Sequence, residues 1–381
     1  MADEMEIFLK ILKYSGLMAV SVEESTKCVY IKNDGLFYLY HASLQLILLG
    51  TLVWLGLNNP SNLFGFYNDT SNYYSYITLQ ASFASQIFLR LWFISNQHSH
   101  LRILELCRKW KLEYLSGQPQ TFHMYTKTRL GLLITVLFMY FLHLVGTFYQ
   151  VGDAISNGEL LLYFTLTGHC CVMTTVILYI YTALVITISN ILKWISVSCE
   201  QLLVNRIDTA LSHWHCEHLQ QLMHLYDKIS YITCEDVNSV YGISILVCTT
   251  LAVMETIWDM FILAISNSGT SRLLDLEILL WMLPMCTILI IGLLYNNVTG
   301  EARNTAKFLA KSCRSNDGMD KMIDKFLLKN LRQKPILTAY GFFSLDKSTL
   351  FKLFTTVFTY MVVLVQFKEM ESTTKQLEKG S

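Results

Sequence analysis

Charged residues are scarce in this sequence of 381 residues, and they are unevenly distributed. Asp, Glu, Lys and Arg make up 15% of the chain and hydrophobic residues 53%, whereas soluble domains have about 25% charged and about 45–50% apolar residues. The charges lie in segments that separate long uncharged runs. A run of about 20 apolar residues crosses the hydrocarbon layer as a helix, which satisfies the backbone hydrogen bonds that lipid cannot. The chain is therefore predicted to be an integral membrane protein.

Signatures of several other protein classes are also missing. No P-loop, GxSxG, HExxH or paired CxxC motif occurs, so no enzyme is predicted. The formal net charge is zero, and we expect neither a nucleic-acid partner nor a cofactor. Residues 1–13 alternate charged and apolar side chains and lack a cleavage site, so the first hydrophobic run is expected to insert as an uncleaved span.

The long hydrophobic runs predict an all-α protein with seven transmembrane helices. The spans are predicted at about 37–57, 73–94, 130–151, 160–188, 240–266, 277–295 and 349–367. The fourth run is long enough to continue as a helix beyond the membrane. Segments after spans two, four and six are long and charged, whereas those after one, three and five are short. The long segments therefore lie on one side of the membrane.

Lysine and arginine identify that side as the cytoplasm. The N-terminal segment and the three long segments carry 23 of these residues, against 4 in the short segments and the C-terminal tail. Positive residues accumulate on the inner side of a membrane. The N-terminus is therefore predicted to be cytoplasmic and the C-terminus external, opposite to a G-protein-coupled receptor.

Two further details agree with this topology. All ten cysteines lie in predicted spans or inner segments, so we expect no disulfide on the outer face. The sequon Asn68-Asp69-Thr70 lies in the first outer segment, where Asn68 is a predicted glycosylation site.

The inner segments are predicted to be helical. Residues 189–233 lack Gly and Pro and have apolar residues at helical spacing, and 301–333 repeat the pattern with Lys and Arg on the opposite face. Spans four, five and six are thus expected to extend into a cytoplasmic bundle. Without internal repeats or low-complexity linkers, residues 1–381 are expected to form a single domain, with sensing spans in 1–295 and an anchor helix and the last span in 296–381.

The segment His213-Trp214-His215-Cys216-Glu217-His218 is rich in metal-ligating residue types. Zinc requires ligands that converge tetrahedrally, whereas consecutive helical positions point in different directions. His215 and His218 can share a face that His213 does not easily join. The pattern favours the polar face of a cytoplasmic helix, and no metal site is predicted.

Charged residues inside spans are costly and therefore informative. Glu255 and Asp259 lie one turn apart in the outer half of span five, beside Trp258. They either line a wet cavity or anchor the fold through hydrogen bonds. Arg90 lies near the inner end of span two, where it is expected to extend its charge to the interface.

Polar and aromatic residues at a similar depth suggest a ligand cavity that opens outward. Each one alone is more often a packing residue, but a few polar groups among apolar walls are typical of small-molecule sites. The hypothesised ligand-binding residues are Gln80, His143, His169, Glu255, Trp258, Asp259 and Trp281.

The end of the chain carries two recognisable blocks. Residues 359–367 read Thr-Tyr, five apolar residues and Gln-Phe, and residues 338–346 contain Gly-Phe-Phe-Ser-Leu-Asp. Both blocks resemble the C-terminal signature of insect gustatory receptors, and the seven-span layout with an inner N-terminus extends the resemblance to the whole chain.

This resemblance implies a homo- or heterotetrameric ligand-gated cation channel in the plasma membrane of a chemosensory neuron, on its dendrite and axon. It also implies a small-molecule pocket among the first six spans and a pore lined by the last. Sugar receptors of the family usually carry Glu at the position of Met361. This difference argues against the main sugar group and favours bitter, pheromone-like or other ligands.

Helical spacing in the last span supports a pore independently. Thr355, Thr359, Val362 and Gln366 are spaced 4, 3 and 4 residues apart and share one stripe. Phe367, beside Gln366, is a candidate gate residue, and these five are the predicted pore residues. The alternative is that the polar residues join helices within one subunit.

The alternatives are a metabotropic receptor, a transporter, a sugar-sensing channel and an olfactory receptor. A metabotropic receptor predicts an outer N-terminus, a DRY-like triplet after span three and an outer disulfide, and the sequence has none of these. A transporter predicts repeated halves, which are also missing. A sugar-sensing channel or an olfactory receptor would share the architecture, and the Thr-Tyr…Gln-Phe block favours a gustatory receptor over an olfactory one.

The topology predicts one glycan and an external C-terminus. Enzymatic deglycosylation should shift the gel mobility of the wild type but not of Asn68→Gln, and Asn297→Gln, on the predicted inner side, should behave as the wild type. A C-terminal tag should be labelled on intact cells. Labelling only after permeabilisation would contradict the predicted course of span seven.

Overall fold

The structure is a computed structural model of the chain. It describes residues 12–13, 17–18, 20–24, 29–33, 35–58, 69–110, 113–114, 157–204, 213–265, 298–312, 318–332 and 335–380. The predicted spans at 130–151 and 277–295 lie outside the described residues.

The described part of the chain is almost entirely helical, which confirms the predicted all-α class. The helices are α1 Gly35–Asn58, α2 Asp69–Ser95, α3 Gln97–Trp110, α4 Asn157–Val204, α5 His213–Tyr231, α6 Asn238–Ile265, α7 Val298–Ser312, α8 Gly318–Arg332 and α9 Lys347–Gly380. A π-helical segment, Ile232–Val237, connects α5 directly to α6.

A short hairpin precedes α1 and was not predicted. Strand β1, Val20–Glu24, pairs with β2, Val29–Asn33, in antiparallel register, with Val20 opposite Asn33. Val20 and Val22, like Val29 and Ile31, alternate with other residues, and this period of two is the available strand signal. The hairpin is a minor addition to a helical fold.

Four segments among the described residues are long and apolar enough to cross a membrane. They are Gly35–Trp54, Val176–Leu202, Glu217–Met254 and Lys347–Met370. They overlap predicted spans one, four, five and seven, and α2 forms a helix over predicted span two. The count of seven spans and the orientation stay predictions.

Helix α4 lies at the centre of the bundle. It packs against α2, α3, α5, α6 and α7, and Ile177, Val185 and Ile188 are completely buried. Its membrane segment is 78% buried, whereas the segments of α1 and α9 are 11% and 6% buried. Most of the apolar surface of α1 and α9 is therefore not covered by other parts of the chain.

The predicted cytoplasmic helices are present. Helix α4 continues to Val204, and α5 packs on it, as does α7. Tyr226 of α5 donates a hydrogen bond from Oη to Oδ1 of Asn330 in α8 over 2.8 Å, and Lys329 pairs with Asp227 at 2.7 Å. The segments predicted to be cytoplasmic thus form a packed bundle.

The expectation for Arg90 is wrong. Arg90 is completely buried instead of extending to the interface. Helix α2 packs between α1, α4 and α6, so its inner end is covered. One turn earlier, Gln86 donates from Nε2 to Oγ1 of Thr174 in α4 over 3.1 Å. The interior therefore contains polar side chains from neighbouring helices at this level.

Tyr226→Phe removes one buried hydrogen bond and is expected to lower the free energy of unfolding by about 1 kcal/mol. Thermal unfolding of the detergent-solubilised protein measures the change. The matched control is Tyr231→Phe, because Tyr231 is 65% exposed on the same helix and should tolerate the change. Equal unfolding temperatures for the Tyr226→Phe and Tyr231→Phe variants would contradict a structural role for the hydrogen bond between Tyr226 and Asn330.

Candidate pore helix and its attachment

Helix α9 is continuous from Lys347 to Gly380 and contains 34 residues. At a rise of 1.5 Å per residue its length is about 51 Å, well beyond the ~30 Å hydrocarbon core. No Gly or Pro interrupts it before Gly380, which explains its continuity. The predicted span 349–367 is therefore only the first part of this helix.

The predicted polar stripe lies on the surface of the chain. Val357 is buried, and Leu350 and Leu353 pack against the core on the side of α9 that contacts α6. By contrast, the predicted pore residues are all exposed: Thr355, Thr359, Val362, Gln366 and Phe367.

The stripe hydroxyls form bonds within α9 itself. Thr355 Oγ1 donates to the carbonyl oxygen of Phe351 over 3.0 Å, and Thr359 Oγ1 donates to that of Thr355 over 2.8 Å. No hydrogen bond from the stripe to another described helix is found. The described contacts therefore do not support the alternative that this stripe joins helices of one subunit.

The rest of α9 also exposes a large apolar surface. Its exposed large side chains, apart from the stripe and Phe367, are Phe351, Phe354, Phe358, Tyr360, Val363, Met370 and Leu377. An apolar surface of this extent marks contact with lipid or with another protein. The helix therefore has both kinds of surface that a pore helix in an oligomer needs.

A tight hairpin attaches α9 to the bundle. Thr338 pairs with Ser344, and the Phe342 N–H donates to the Ala339 carbonyl over 3.0 Å. Tyr340 and Gly341 between them have φ of 51° and 80°, typical of a type I′ turn. A bulky residue with positive φ is uncommon, so the surrounding contacts must hold Tyr340 in place.

Asp346 caps the N-terminus of α9. Its Oδ1 accepts from the Thr349 N–H and its Oδ2 from the Ser344 hydroxyl, both over 2.9 Å. Partial burial acts to raise the pKa of Asp346, but these hydrogen bonds outweigh it and the pKa lies below its usual value. The carboxylate also faces the positive end of the helix dipole. An Asp before an apolar run is a sequence signal for this cap, which the sequence analysis did not use.

The hypothesised ligand residues are only partly described. Gln80 is half-buried on α2, His169 lies on α4, and Glu255, Trp258 and Asp259 lie on α6. These three helices pack against one another. His143, Trp281 and Asn68 lie outside the described residues, so the ligand cavity stays a prediction.

The histidine-rich segment begins a helix, as the sequence suggested. His213 is the first residue of α5. Within the described ranges, no group of three or more His, Cys, Asp or Glu residues is positioned to hold a metal ion.

The N-terminal end of α6 is held by an aromatic cluster that sequence analysis missed. His100 of α3 stacks on Phe93 with ring centroids 4.2 Å apart and meets the Tyr241 ring edge-on at 4.8 Å. Burial lowers the pKa of His100 to about 3, so the imidazole is neutral and packs as an aromatic ring. Trp92 adds a 2.8 Å hydrogen bond from Nε1 to the Val240 carbonyl.

Comparison with known proteins identifies the family. Residues 5–371 match the family model described as 7tm Chemosensory receptor. The chain belongs to this family. The resemblance drawn from the C-terminal blocks is therefore confirmed, and membership in a family of chemosensory receptors agrees with the prediction that this receptor is not an enzyme.

The relatives of this receptor are insect gustatory receptors. Isoform C of gustatory and pheromone receptor 39a of Drosophila melanogaster is 28% identical to this chain, over 99% of this chain and 98% of the isoform. Isoform B is 34% identical to this chain, over 82% of this chain and 81% of the isoform. The fold is similar to the olfactory receptor OR5 of Machilis hrabei in complex with eugenol, with a TM-score of 0.71, 15% identity and coverage of 96% of this chain and 98% of that one.

Single cysteines introduced into α9 test which face of the receptor's helix meets water. Thr359→Cys, Val362→Cys and Gln366→Cys should react with a membrane-impermeant thiol reagent and lose current, because their side chains are exposed on the stripe. Leu364→Cys should be protected, because Leu364 is half-buried. Current before and after treatment is compared with that of the wild type. Equal reactivity at all four positions would contradict a pore-lining stripe.

Proposed function

We propose that this receptor is a ligand-gated, non-selective cation channel in the plasma membrane of a chemosensory neuron. The observation that carries the proposal is the exposed stripe of α9, in which Thr355, Thr359 and Gln366 lie on the predominantly apolar span 349–367. The channel is a homo- or heterotetramer in which four such stripes enclose a water-filled path.

The energetics of the stripe depend mainly on Gln366. The hydroxyls of Thr355 and Thr359 donate within the helix, so contact with lipid would cost them little. Burying an amide in hydrocarbon without a hydrogen-bond partner costs roughly 2–7 kcal/mol. Water inside a pore removes this cost, and lipid does not. The exposure of Gln366 therefore favours a pore-facing stripe over a lipid-facing one.

The gate is proposed at the outer end of the stripe. An apolar ring can stop ions by dewetting a narrow passage, whereas a polar ring allows water to bridge it. Phe367 and Gln366 are adjacent and both exposed, and they lie about 100° apart around the helix axis, so a rotation of α9 of that order exchanges one for the other at the constriction. Val362, one turn further in, provides a second apolar ring. Glu369 at the outer mouth attracts cations and Lys368 partly offsets it.

The proposed ligands are external small molecules of the bitter or contact-pheromone type. The relatives are named gustatory and pheromone receptors, and Met361 argues against a sugar receptor. The ligand is proposed to bind among the first six spans, near Glu255, Trp258 and Asp259 of α6 and the other predicted cavity residues.

Current recording from cells that express the receptor tests the function. A panel of bitter compounds, lipophilic contact cues and sugars should yield at least one agonist of a cation current. Gln366→Leu should suppress that current without loss of surface protein, because it replaces the polar ring with an apolar one. Phe367→Ser should raise the current measured without ligand.

Gln220→Leu is the matched control for Gln366→Leu. Gln220 is exposed on α5, which is predicted to lie in the cytoplasm, so the same substitution there should leave the current unchanged. If the Gln366→Leu variant reaches the surface at normal density and carries as much ligand-evoked current as the wild type, α9 does not line the conduction path.

A further inference from the structure

We propose that Asn238 and Gly242, at the inner end of α6, form a clamp that couples α6 to the pore helix α9 and sets the receptor's sensitivity to its ligand. The inference rests on the proposed function, because it concerns how ligand binding reaches the pore. It assigns positioning roles to two residues that touch neither the ion path nor the ligand.

Asn238 uses both ends of its side-chain amide. Its Nδ2 donates to the carbonyl oxygen of Ile336 over 2.8 Å, and its Oδ1 accepts from the backbone N–H of Thr338 over 3.0 Å. The side chain therefore pairs with the backbone that leads into the hairpin as a neighbouring strand would. Two bonds from one planar amide fix both the distance and the orientation of that segment.

Gly242 lies one turn further along α6 and brings the two backbones into contact. A Cβ atom at this position would lie 2.7 Å from the backbone nitrogen of Tyr340 and 3.2 Å from the Thr338 carbonyl oxygen. Atoms at 2.7 Å overlap, so a side chain here would displace the hairpin. The packing therefore requires glycine, and the contact leaves no space in which the hairpin can slide over α6.

The hairpin passes this constraint directly to α9. Tyr340 and Gly341 are held with positive φ, and Ala339 and Leu345 are buried. Asp346 then caps the first turn of α9. From Asn238 to Lys347 each link is a hydrogen bond or a packed backbone contact, so a shift of α6 at the clamp moves the base of the pore helix.

Helix α6 can carry a displacement from the outer half of the membrane to the clamp. It is continuous from Asn238 to Ile265, and the hypothesised ligand residue Glu255 lies 17 residues from Asn238, about 26 Å along the axis. At its inner end α6 joins the π-helical segment Ile232–Val237, a type of element found frequently at functional sites. Thr299 of α7 also donates to the Pro335 carbonyl over 3.2 Å, which holds the start of the connection.

The alternative is that the clamp only stabilises the fold. A purely structural clamp would change the amount of protein at the surface, and each surviving channel would keep its normal sensitivity. A coupling clamp changes the agonist concentration for half-maximal current in channels that are correctly assembled. These two effects are measured separately.

The test compares agonist dose–response curves of wild type, Asn238→Leu and Gly242→Ala, with surface protein and single-channel conductance measured in parallel. We expect both variants to shift the half-maximal concentration by about 5- to 150-fold, the usual range of coupling between sites, with conductance unchanged. The double variant should shift it by less than the product of the two single shifts, because both changes act on one joint.

Matched controls exist for both substitutions. Gly50→Ala introduces the same methyl group in α1, where a Cβ meets nothing within 4 Å. Asn304→Leu makes the same change at an exposed position on α7. Both controls should retain the wild-type dose–response curve.

Tyr340→Gly tests the clamp if either variant fails to reach the surface. Glycine adopts positive φ without strain, so the protein should fold, but the turn becomes more flexible and the curve should shift as well. The clamp is overturned if the wild type conducts and every clamp variant that reaches the surface has the wild-type half-maximal agonist concentration. That result would leave the channel proposal intact. A wild type without ligand-evoked current would instead overturn the channel proposal and with it the clamp.

Discussion

Hydrocarbon supplies no hydrogen-bond partners, and most of this fold follows from that constraint. Polar groups inside the membrane are either satisfied within their own helix, buried against another helix or left on a face that meets water. Thr355 illustrates the first case and Gln86, bonded to Thr174 of α4, the second. Gln366 belongs to neither group, since α9 leaves it exposed. Its exposure agrees with the proposed role of α9 in lining a pore.

The contrast between α4 and α9 separates the roles of these helices. Helix α4 is enclosed by its neighbours and serves as the core against which the others pack. Helix α9 contacts the bundle along one side, mainly through α6, and is fixed at its base by the hairpin and the Asp346 cap. Within one chain, a rotation or tilt of α9 therefore breaks few buried contacts other than those with α6. The same low coverage leaves the stripe exposed.

Buried polar and aromatic residues near the C-terminal end of α2 and the N-terminal end of α6 give these helices a packed base. Arg90 is enclosed by the packing of α2, and His100, Phe93 and Tyr241 join α2, α3 and α6. The exposed ion pair between Arg102 and Asp236, at 2.5 Å, adds a link to the π-helical segment but contributes little by itself in water. Motion of α6 relative to this base is opposed by buried ring contacts, so it is expected to be a small displacement of the whole helix.

Sequence alone determined the helical class, the approximate positions of α1, α2, α4, α6 and α9, and the family, because apolar run length and helical periodicity are local properties of the chain. It also identified the stripe of α9, since residues 4 and 3 apart share a face wherever the helix lies. It could not reveal that Arg90 is enclosed, because burial depends on which helices surround α2. Nor could it show that Asn238 and Gly242 meet residues 336–340, since a contact between segments about 100 residues apart is set by the tertiary structure. Here it is set by the packing of the hairpin against the N-terminal end of α6.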